Sequence, residues 1–137
     1  MERSPELEAL VADWFQAASK GDGSLVDRHV SHHEMNRLIG SDPEEWIRGG
    51  EPVATFLRGE AERSGGHVTF TPSETEAFSE GTVGWAATRL KISLPDGKHV
   101  SPRWSAVFHQ EDGAWKFVQT HASIAVANDQ VGWEYAS

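Results

Sequence analysis

The sequence predicts an α+β fold in which helices come first and an antiparallel sheet follows. Up to Gly66, apolar residues recur at helical spacing, whereas the rest of the chain alternates in the manner of strands. Asp-Gly pairs separate three long strand-like runs, and tight turns between neighbouring strands make their pairing antiparallel. We therefore expect the helices to cover one face of the sheet.

Helix signals mark three segments of the first half. The first helix is predicted over residues 5–19, with Ser4 as its N-terminal cap and a proline at its first position. A shorter helix is predicted after Ser24, and a third over roughly residues 51–64, where Gly65-Gly66 ends it.

The segment between the second and third helices is harder to read. Residues 31–39 are ambiguous, although their apolar end at Leu38-Ile39 favours a strand. The string Asp42-Pro43-Glu44-Glu45 has the residues of a capping box, which predicts a further helical turn that carries Trp46.

Four strands are predicted after the helices. A short one spans 67–70 and stops before a proline, and the long ones span 82–94, 98–110 and 114–126. Residues 128–137 are predicted to be a tail that is either mobile or docked through Trp133 and Tyr135. At 137 residues the chain is expected to form one domain.

The turns also predict the register of the long strands. The first Asp-Gly turn is expected to place Arg89 opposite Trp104, and the second to place Trp104 opposite His121 and Phe108 opposite Phe117. One sheet face would then carry bulky and polar side chains, namely Trp85, Arg89, Trp104, Phe108, Trp115, Phe117, Gln119 and His121. The opposite face would be flat and apolar, including Thr120, and we expect a homodimer to bury it.

Composition excludes several classes of function. Twenty-one acidic against twelve basic residues give a net charge of −9, the wrong sign for a nucleic-acid binder. The absence of cysteine excludes disulfides and thiolate chemistry. Without a long apolar run, the chain is expected to be cytoplasmic and not bound to a membrane. Six tryptophans indicate either a bulky core or an aromatic-lined pocket.

Three segments carry a family resemblance. They are LIGSDPEEWIRG (38–49), EGTVGWAATRLKISLPDG (80–97) and RWSAVFHQEDGAWKFVQTHAS (103–123). With the order of elements, they make the chain resemble the nuclear transport factor 2-like superfamily and, within it, the SnoaL-like domains. The resemblance implies a cone, in which a strongly curved antiparallel sheet packs on three to four N-terminal helices. It also implies a cavity at the wide end and a homodimer through the outer sheet face.

The resemblance leaves the activity open, because the superfamily contains isomerases, cyclases, dehydratases, transport adaptors and domains without known activity. Better-known members place an aspartate, or an aspartate and a histidine, inside the cavity. In this chain no aspartate falls on the predicted pocket side of the long strands.

Candidate site residues follow from the predicted inner face. His121 is the candidate acid–base group, Arg89 would hold a carboxylate or an oxyanion, and Glu34 is the nearest substitute for the missing aspartate. Each also has a structural reading, such as an ion pair of Arg89 with a glutamate. The candidate ligand-binding residues are mainly aromatic: Trp14, Trp46, Trp85, Trp104, Phe108, Phe117 and Gln119.

Three functions remain open. The first is a domain that binds a small apolar or carbonyl- or carboxylate-bearing ligand without turning it over. The second is an isomerase-, cyclase- or dehydratase-type enzyme that uses His121 and needs no cofactor. The third is a structural dimer with a filled cavity. The cluster of His29, His32, His33 and Glu34 is interpreted as solvated or structural, so no metal site is expected.

Overall fold

The computed structural model describes residues 1–133. In chain order the elements are β1 (Glu2–Arg3), α1 (Pro5–Ser19), α2 (Ser24–His29), β2 (Arg37–Ile39), β3 (Trp46–Arg48), α3 (Gly50–Ser64), β4 (Thr69–Glu80), β5 (Val83–Ser93), β6 (His99–Val100), β7 (Arg103–Glu111), β8 (Ala114–Ser123) and a 3-10 turn (Asn128–Val131). The tail is thus helical over one turn, and Trp133 after it is exposed. Tyr135 lies outside the described residues.

The first helix forms as its sequence predicts. The Ser4 hydroxyl accepts a hydrogen bond from the backbone N–H of Leu7 at 3.2 Å, and Pro5 occupies the first turn, where its missing N–H costs nothing. Leu7, Val11 and Phe15 form the buried stripe of α1, which packs against β4 and β5. The described part of the chain contains no helix with the length and hydropathy that spanning a bilayer requires.

The sheet confirms the predicted α+β class. Its strand order is β1-β4-β5-β7-β8-β2-β3, with β6 paired to β5, and the described pairs are antiparallel except β2 with β8. The sheet is strongly curved around the helices. The core between sheet and helices includes Phe108 and Phe117, both essentially inaccessible to solvent.

The strand β4 is longer than predicted because Pro72 does not end it. The two-residue strand β1 reaches only Ser79 and Phe78, so β4 is an edge strand at Pro72 and needs no N–H there. A bulge between Ser73 and Glu76 then bends the strand.

Residues 42–45 form a hairpin turn and not the predicted helical turn. The expected hydrogen bond of the capping box is present, because the Glu45 carboxylate accepts from the backbone N–H of Asp42 at 3.1 Å. However, the Gly40 N–H also donates to the carbonyl oxygen of Glu45 at 2.8 Å, and this bond brings β3 back alongside β2. Trp46 is therefore a strand residue.

Two one-residue offsets overturn most of the predicted register. The N–H of Leu94 donates to Lys98 at the first turn, so Arg89 pairs with Arg103 and not with Trp104. The predicted pairing of Phe108 with Phe117 is confirmed, but a bulge next to it shifts the rest of β8.

The consequence of the shifts is that several side chains change faces. Trp104 pairs with Ala122, whereas His121 pairs with Ser105 on the outside. The predicted set on the inner face is therefore wrong for Trp85, Arg89, Gln119 and His121. The inner face instead carries small and apolar residues of the predicted flat face: Ala86, Thr88, Leu90, Thr120 and Ala122.

Candidate functional site

A cavity of about 270 Å³ lies between the helices and the inner face of the sheet. α1, α2 and α3 contribute to one side, and β2 and β4 to β8 contribute to the other. Most of its lining is apolar: Trp14, Phe15, Ala17, Ala18, Leu25, Val26, Leu38, Ile39, Phe56, Leu57, Ala61, Phe70, Leu90, Ile92, Val100, Pro102, Trp104, Ala122 and Ile124. A concave, mostly apolar space of this kind is typical of small-molecule sites.

The lining divides into a buried wall and an exposed lip. Phe15, Leu38, Leu90 and Trp104 are buried, and they form part of the wall. The lip contains the exposed side chains of Asp22, Ser41, Glu60, Val100, His121 and Ile124 and the partly exposed side chain of Glu45. A ligand would therefore enter past the lip and place its apolar part against the wall.

The aromatic wall is held by ring contacts that leave the cavity open. Trp104 meets Phe15 edge-on, with ring centroids 5.1 Å apart, and the Trp14 and Phe117 rings are 4.5 Å apart. Such contacts stabilise aromatic pairs beyond their burial. Trp104 is thus fixed at the cavity wall and does not fill the cavity.

One polar atom on the buried wall lacks a partner. Thr120 is 6% exposed, and its hydroxyl makes no hydrogen bond within the described residues. The comparable hydroxyl of Thr88, on the same sheet face, bonds the Ser73 carbonyl at 2.9 Å and the Thr75 hydroxyl at 2.8 Å. An unsatisfied buried hydroxyl is unfavourable, so Thr120 marks a place where a ligand atom would be stabilised.

Carboxylates line the cavity near its lip. Burial raises the pKa of the half-exposed Glu60 carboxyl, and the nearby carboxylate of Glu45 raises it further, while Arg63 opposes both. Asp22 differs, because hydrogen bonds from the backbone and the hydroxyl of Ser24 lower the pKa of its carboxyl. Two of these groups, Glu60 and Glu45, thus repel each other beside an apolar space.

The fold places Glu45 at the cavity through the turn between β2 and β3. A Cβ atom on Gly40 would overlap the Glu45 side chain, so the glycine makes room for the carboxylate. The hydrogen bond from the Asp42 N–H then fixes one oxygen. Glu60 comes from α3, on the helical face that also presents Phe56 and Leu57.

The predicted ligand-binding residues separate into three groups. Trp14 and Trp104 line the cavity. Phe108 and Phe117 belong to the core and not to the lining. Trp46, Trp85 and Gln119 lie elsewhere: Trp46 is 54% exposed beside Arg48, and the other two are on the outer sheet face.

The predicted catalytic residues do not meet inside the cavity. Arg89 is exposed on the outer face, where its Nε lies 2.8 Å from Glu74, so the expected ion pair forms with a different glutamate. Glu34 is exposed in the loop before β2. His121 is also exposed, because the neighbours Thr120 and Ala122 occupy the inner positions of β8, although it touches the lip. Arg89, Trp104 and His121 do line a second concavity together, beside Glu74 on the outer side of the sheet. Their predicted convergence inside the cavity beneath the helices is wrong, because Arg89 does not line that cavity.

The histidine cluster is dispersed among separate partners. His29 Nδ1 lies 2.9 Å from the Trp115 carbonyl, and His32 Nδ1 lies 2.6 Å from a carboxylate oxygen of Glu51. His33 accepts a hydrogen bond from the backbone N–H of Met35. Within residues 1–133, no three side chains of the types that bind metals are grouped as ligands.

Thr120, Glu45 and Glu60 line the cavity although the sequence pattern does not predict them there. The predicted register places Thr120 on the outside of the sheet, and the predicted capping box places Glu45 in a helical turn. The signal for Glu60 was present, because it is one turn from Phe56 and Leu57 on the apolar face of α3.

Comparisons with known proteins place this geometry in a family. A family model described as the SnoaL-like domain matches residues 7–127. No curated protein matches the chain. An NTF2-like protein of unknown function from Pseudomonas putida is similar in structure, with a TM-score of 0.77, 13% identity and coverage of 91% of this chain and 88% of the other.

Two further structures share the fold at low identity. A candidate dehydratase of the NTF2-like family from Streptomyces avermitilis has a TM-score of 0.70 and 15% identity, and the match covers 89% of this chain and 95% of that one. The association domain of CaMKII from C. elegans has a TM-score of 0.66 and 19% identity, with 86% and 92% covered. These identities show a common fold and do not transfer an activity.

Proposed function

The chain belongs to the SnoaL-like domain family, and we propose that it binds a small, largely apolar molecule in the cavity beneath Trp104. The observation that carries this proposal is the cavity itself. The inner strands present small residues such as Ala122 where the sequence pattern predicted bulky ones, so about 270 Å³ is left unfilled. A space of this size beside fixed aromatic rings offers a molecule of one or two rings extensive apolar contact.

Binding without turnover accounts for the site better than catalysis does. Among residues 1–133, the buried wall carries no carboxylate, imidazole or amine, and its buried polar atom without a partner is the Thr120 hydroxyl. A general acid or base must reach the reacting atom, and the candidates here, including His121, are at the lip. The enzyme reading therefore remains the alternative, with chemistry confined to the part of the ligand nearest solvent.

A cavity-blocking pair of variants tests the proposal. Ala18 lines the cavity, whereas Ala12 on the same helix is exposed and does not. Naphthalen-2-ylmethanol, followed by its own fluorescence, is the probe. Ala18→Phe should weaken binding by about tenfold or more, because the added ring occupies the site, while Ala12→Phe should bind like wild type.

Two results would overturn the proposal. One is equal affinity of the two variants, which would place the probe elsewhere. The other is no measurable binding by wild type of this probe or of its amine and carboxylate analogues. Conversion of a bound compound by wild-type protein would favour the enzyme alternative.

We further propose that the outer sheet face joins two copies of the chain. This face carries the partly exposed apolar residues Trp85 and Val107, surrounded by charges of both signs. Arg89 and Arg103 are direct cross-strand neighbours, and Glu74 and Glu76 lie beside them. Glu74 already pairs with Arg89 within the subunit, whereas a two-fold axis can bring Arg103 near the acidic residues of a second copy.

A further inference from the structure

We propose that the cavity selects a cationic amphiphile: an apolar body against the Trp104 wall, with a protonated amine held at the lip by Glu60 and Glu45. This inference rests on the proposed binding function and names the chemical class of the ligand. It replaces the carboxylate-bearing ligand that the sequence analysis predicted from Arg89.

The charges that line the cavity have one sign. In the part of the chain that the structure describes, the ionisable side chains of the lining are the carboxylates Asp22, Glu45 and Glu60 and the imidazole of His121, without a lysine or arginine. Basic residues do lie nearby, because Arg63 is 3.9 Å from Glu60 and both Lys20 and Arg28 act on Asp22. They do not reach the cavity, so a ligand there meets carboxylates first.

Glu60 and Glu45 form a like-charge pair at an apolar surface. Partial burial and the Glu45 carboxylate both raise the pKa of Glu60, which means that the free protein stabilises its ionised form less well than water does. Arg63 offsets this only at 3.9 Å and from an exposed position. A bound ammonium group would relieve the repulsion, so ligand binding and ionisation of Glu60 would favour each other.

Thr120 gives independent evidence that the cavity is built for a ligand with polar atoms. It is on the buried wall, and its hydroxyl has no partner within residues 1–133. A ligand hydroxyl or carbonyl beside Thr120 would complete its hydrogen bonding. The site therefore has an unpartnered hydroxyl on its wall and carboxylates at its lip.

The rest of the lip suits the same class of molecule. Val100 and Ile124 line it and are 38% and 52% exposed. The carboxylates come from the helical side and the β2–β3 turn, whereas these aliphatic side chains come from β6 and the segment after β8. An amphiphile can therefore contact both the carboxylates and the aliphatic side chains at the entrance of the cavity.

Matched probes with one apolar body test the inference. Naphthalen-2-ylmethylamine, naphthalen-2-ylmethanol and 2-naphthoate differ in charge at the same position. At low ionic strength wild type should bind the amine about tenfold or more tighter than the carboxylate, with the alcohol between them. Salt at about 0.5 M should bring the affinities for the amine and the carboxylate closer together, because it screens the charges at the lip.

Two variants of α3 test whether the carboxylate of Glu60 is responsible for the preference for the amine. Glu60→Gln should weaken binding of the amine about threefold relative to binding of the alcohol, because the alcohol carries no charge for the carboxylate to attract. Glu62→Gln is the matched control, because Glu62 is exposed on α3 and does not line the cavity. It removes the same formal charge and should leave the binding of every probe unchanged.

The wall contact has its own probe. 6-(Aminomethyl)naphthalen-2-ol adds a hydroxyl at the end remote from the amine, and wild type should bind it about fivefold tighter than the unsubstituted amine. Thr120→Val keeps the shape of the side chain and should abolish this gain. No gain in wild type would overturn the role of Thr120.

The outcomes separate this inference from the proposed function. If the naphthalenes bind and Ala18→Phe blocks them, but the carboxylate binds as tightly as the amine, the cavity function stands and the cationic ligand is overturned. The same conclusion follows if Glu60→Gln and Glu62→Gln weaken amine binding equally. If no naphthalene binds wild type, both proposals fail together.

Discussion

Thr120 and His121 are neighbours in β8 but face opposite sides of the sheet. Thr120 is 6% exposed and lines the cavity with an unpartnered hydroxyl. His121 is exposed, pairs with Ser105 across the outer face and reaches only the cavity lip. The bulge next to Phe108 sets this arrangement, because one extra residue in β8 exchanges the faces of everything after it.

The unpartnered hydroxyl of Thr120 should lower the free energy of unfolding of the protein. We expect Thr120→Val to stabilise the free protein by about 1 kcal/mol, because the isosteric methyl group needs no hydrogen bond. Thr88→Val is the matched control: Thr88 is equally buried, at 6%, but its hydroxyl is bonded. It should destabilise the protein by about 1 kcal/mol. Urea unfolding measures both, and equal destabilisation would show that Thr120 is satisfied.

The raised pKa of Glu60 predicts a pH-dependent stability. The folded protein holds the Glu60 proton more tightly than the unfolded chain does, so stability falls as pH rises from the unfolded pKa, about 4.3, through the folded one. Glu60→Gln removes this dependence and should be more stable than wild type at pH 7. The difference should shrink as pH approaches about 4.

The control for this pH effect is Glu62→Gln, whose carboxyl is exposed on the same helix. Thermal unfolding of the three proteins across the pH range gives the comparison. Parallel pH profiles for wild type and Glu60→Gln would contradict the assigned environment of Glu60.

Outward placement of His121 and Arg89 predicts that neither is needed for the cavity to bind. His121→Ala and Arg89→Ala should each bind naphthalen-2-ylmethanol within about twofold of wild type, because Arg89 does not line the cavity and His121 reaches only its lip. Fluorescence titration provides the measurement. A tenfold loss in either variant would restore the inward role that the sequence suggested.

The outer face should control the oligomeric state. Ser105 is exposed at the centre of this face on β7, so Ser105→Glu places a charge where two sheets would meet. We expect sedimentation to give a dimer for wild type and a monomer for this variant. Thr55→Glu, exposed on α3, should remain dimeric. A wild-type monomer, or an unchanged mass for Ser105→Glu, would refute the interface.

Local signals predicted the fold well because they act over short distances. The Ser4 cap, Pro5 and the Asp-Gly turns specify where α1 and the long strands begin and end. They do not specify which residues lie opposite each other in a pair of strands. A turn shifted to Leu94 and Lys98 placed Arg89 one position away from its predicted partner.

The residues of the site depend on the strand register, so the sequence predicts them poorly. Trp14 and Trp104 line the cavity as predicted, whereas His121 and Thr120 each lie on the sheet face opposite to the predicted one. The β8 bulge has no clear local signature, because residues 114–123 contain neither a glycine nor a proline that would mark it. The faces of the residues that follow the bulge could therefore not be predicted from the sequence.

Magnetisation transfer between a bound probe and the cavity methyl groups tests the central claim most directly. With naphthalen-2-ylmethanol bound, we predict NOE cross-peaks from the naphthyl protons to the methyls of Leu38 and Leu90, which line the wall. Cross-peaks confined to Val107, on the opposite face of the sheet, would contradict the account.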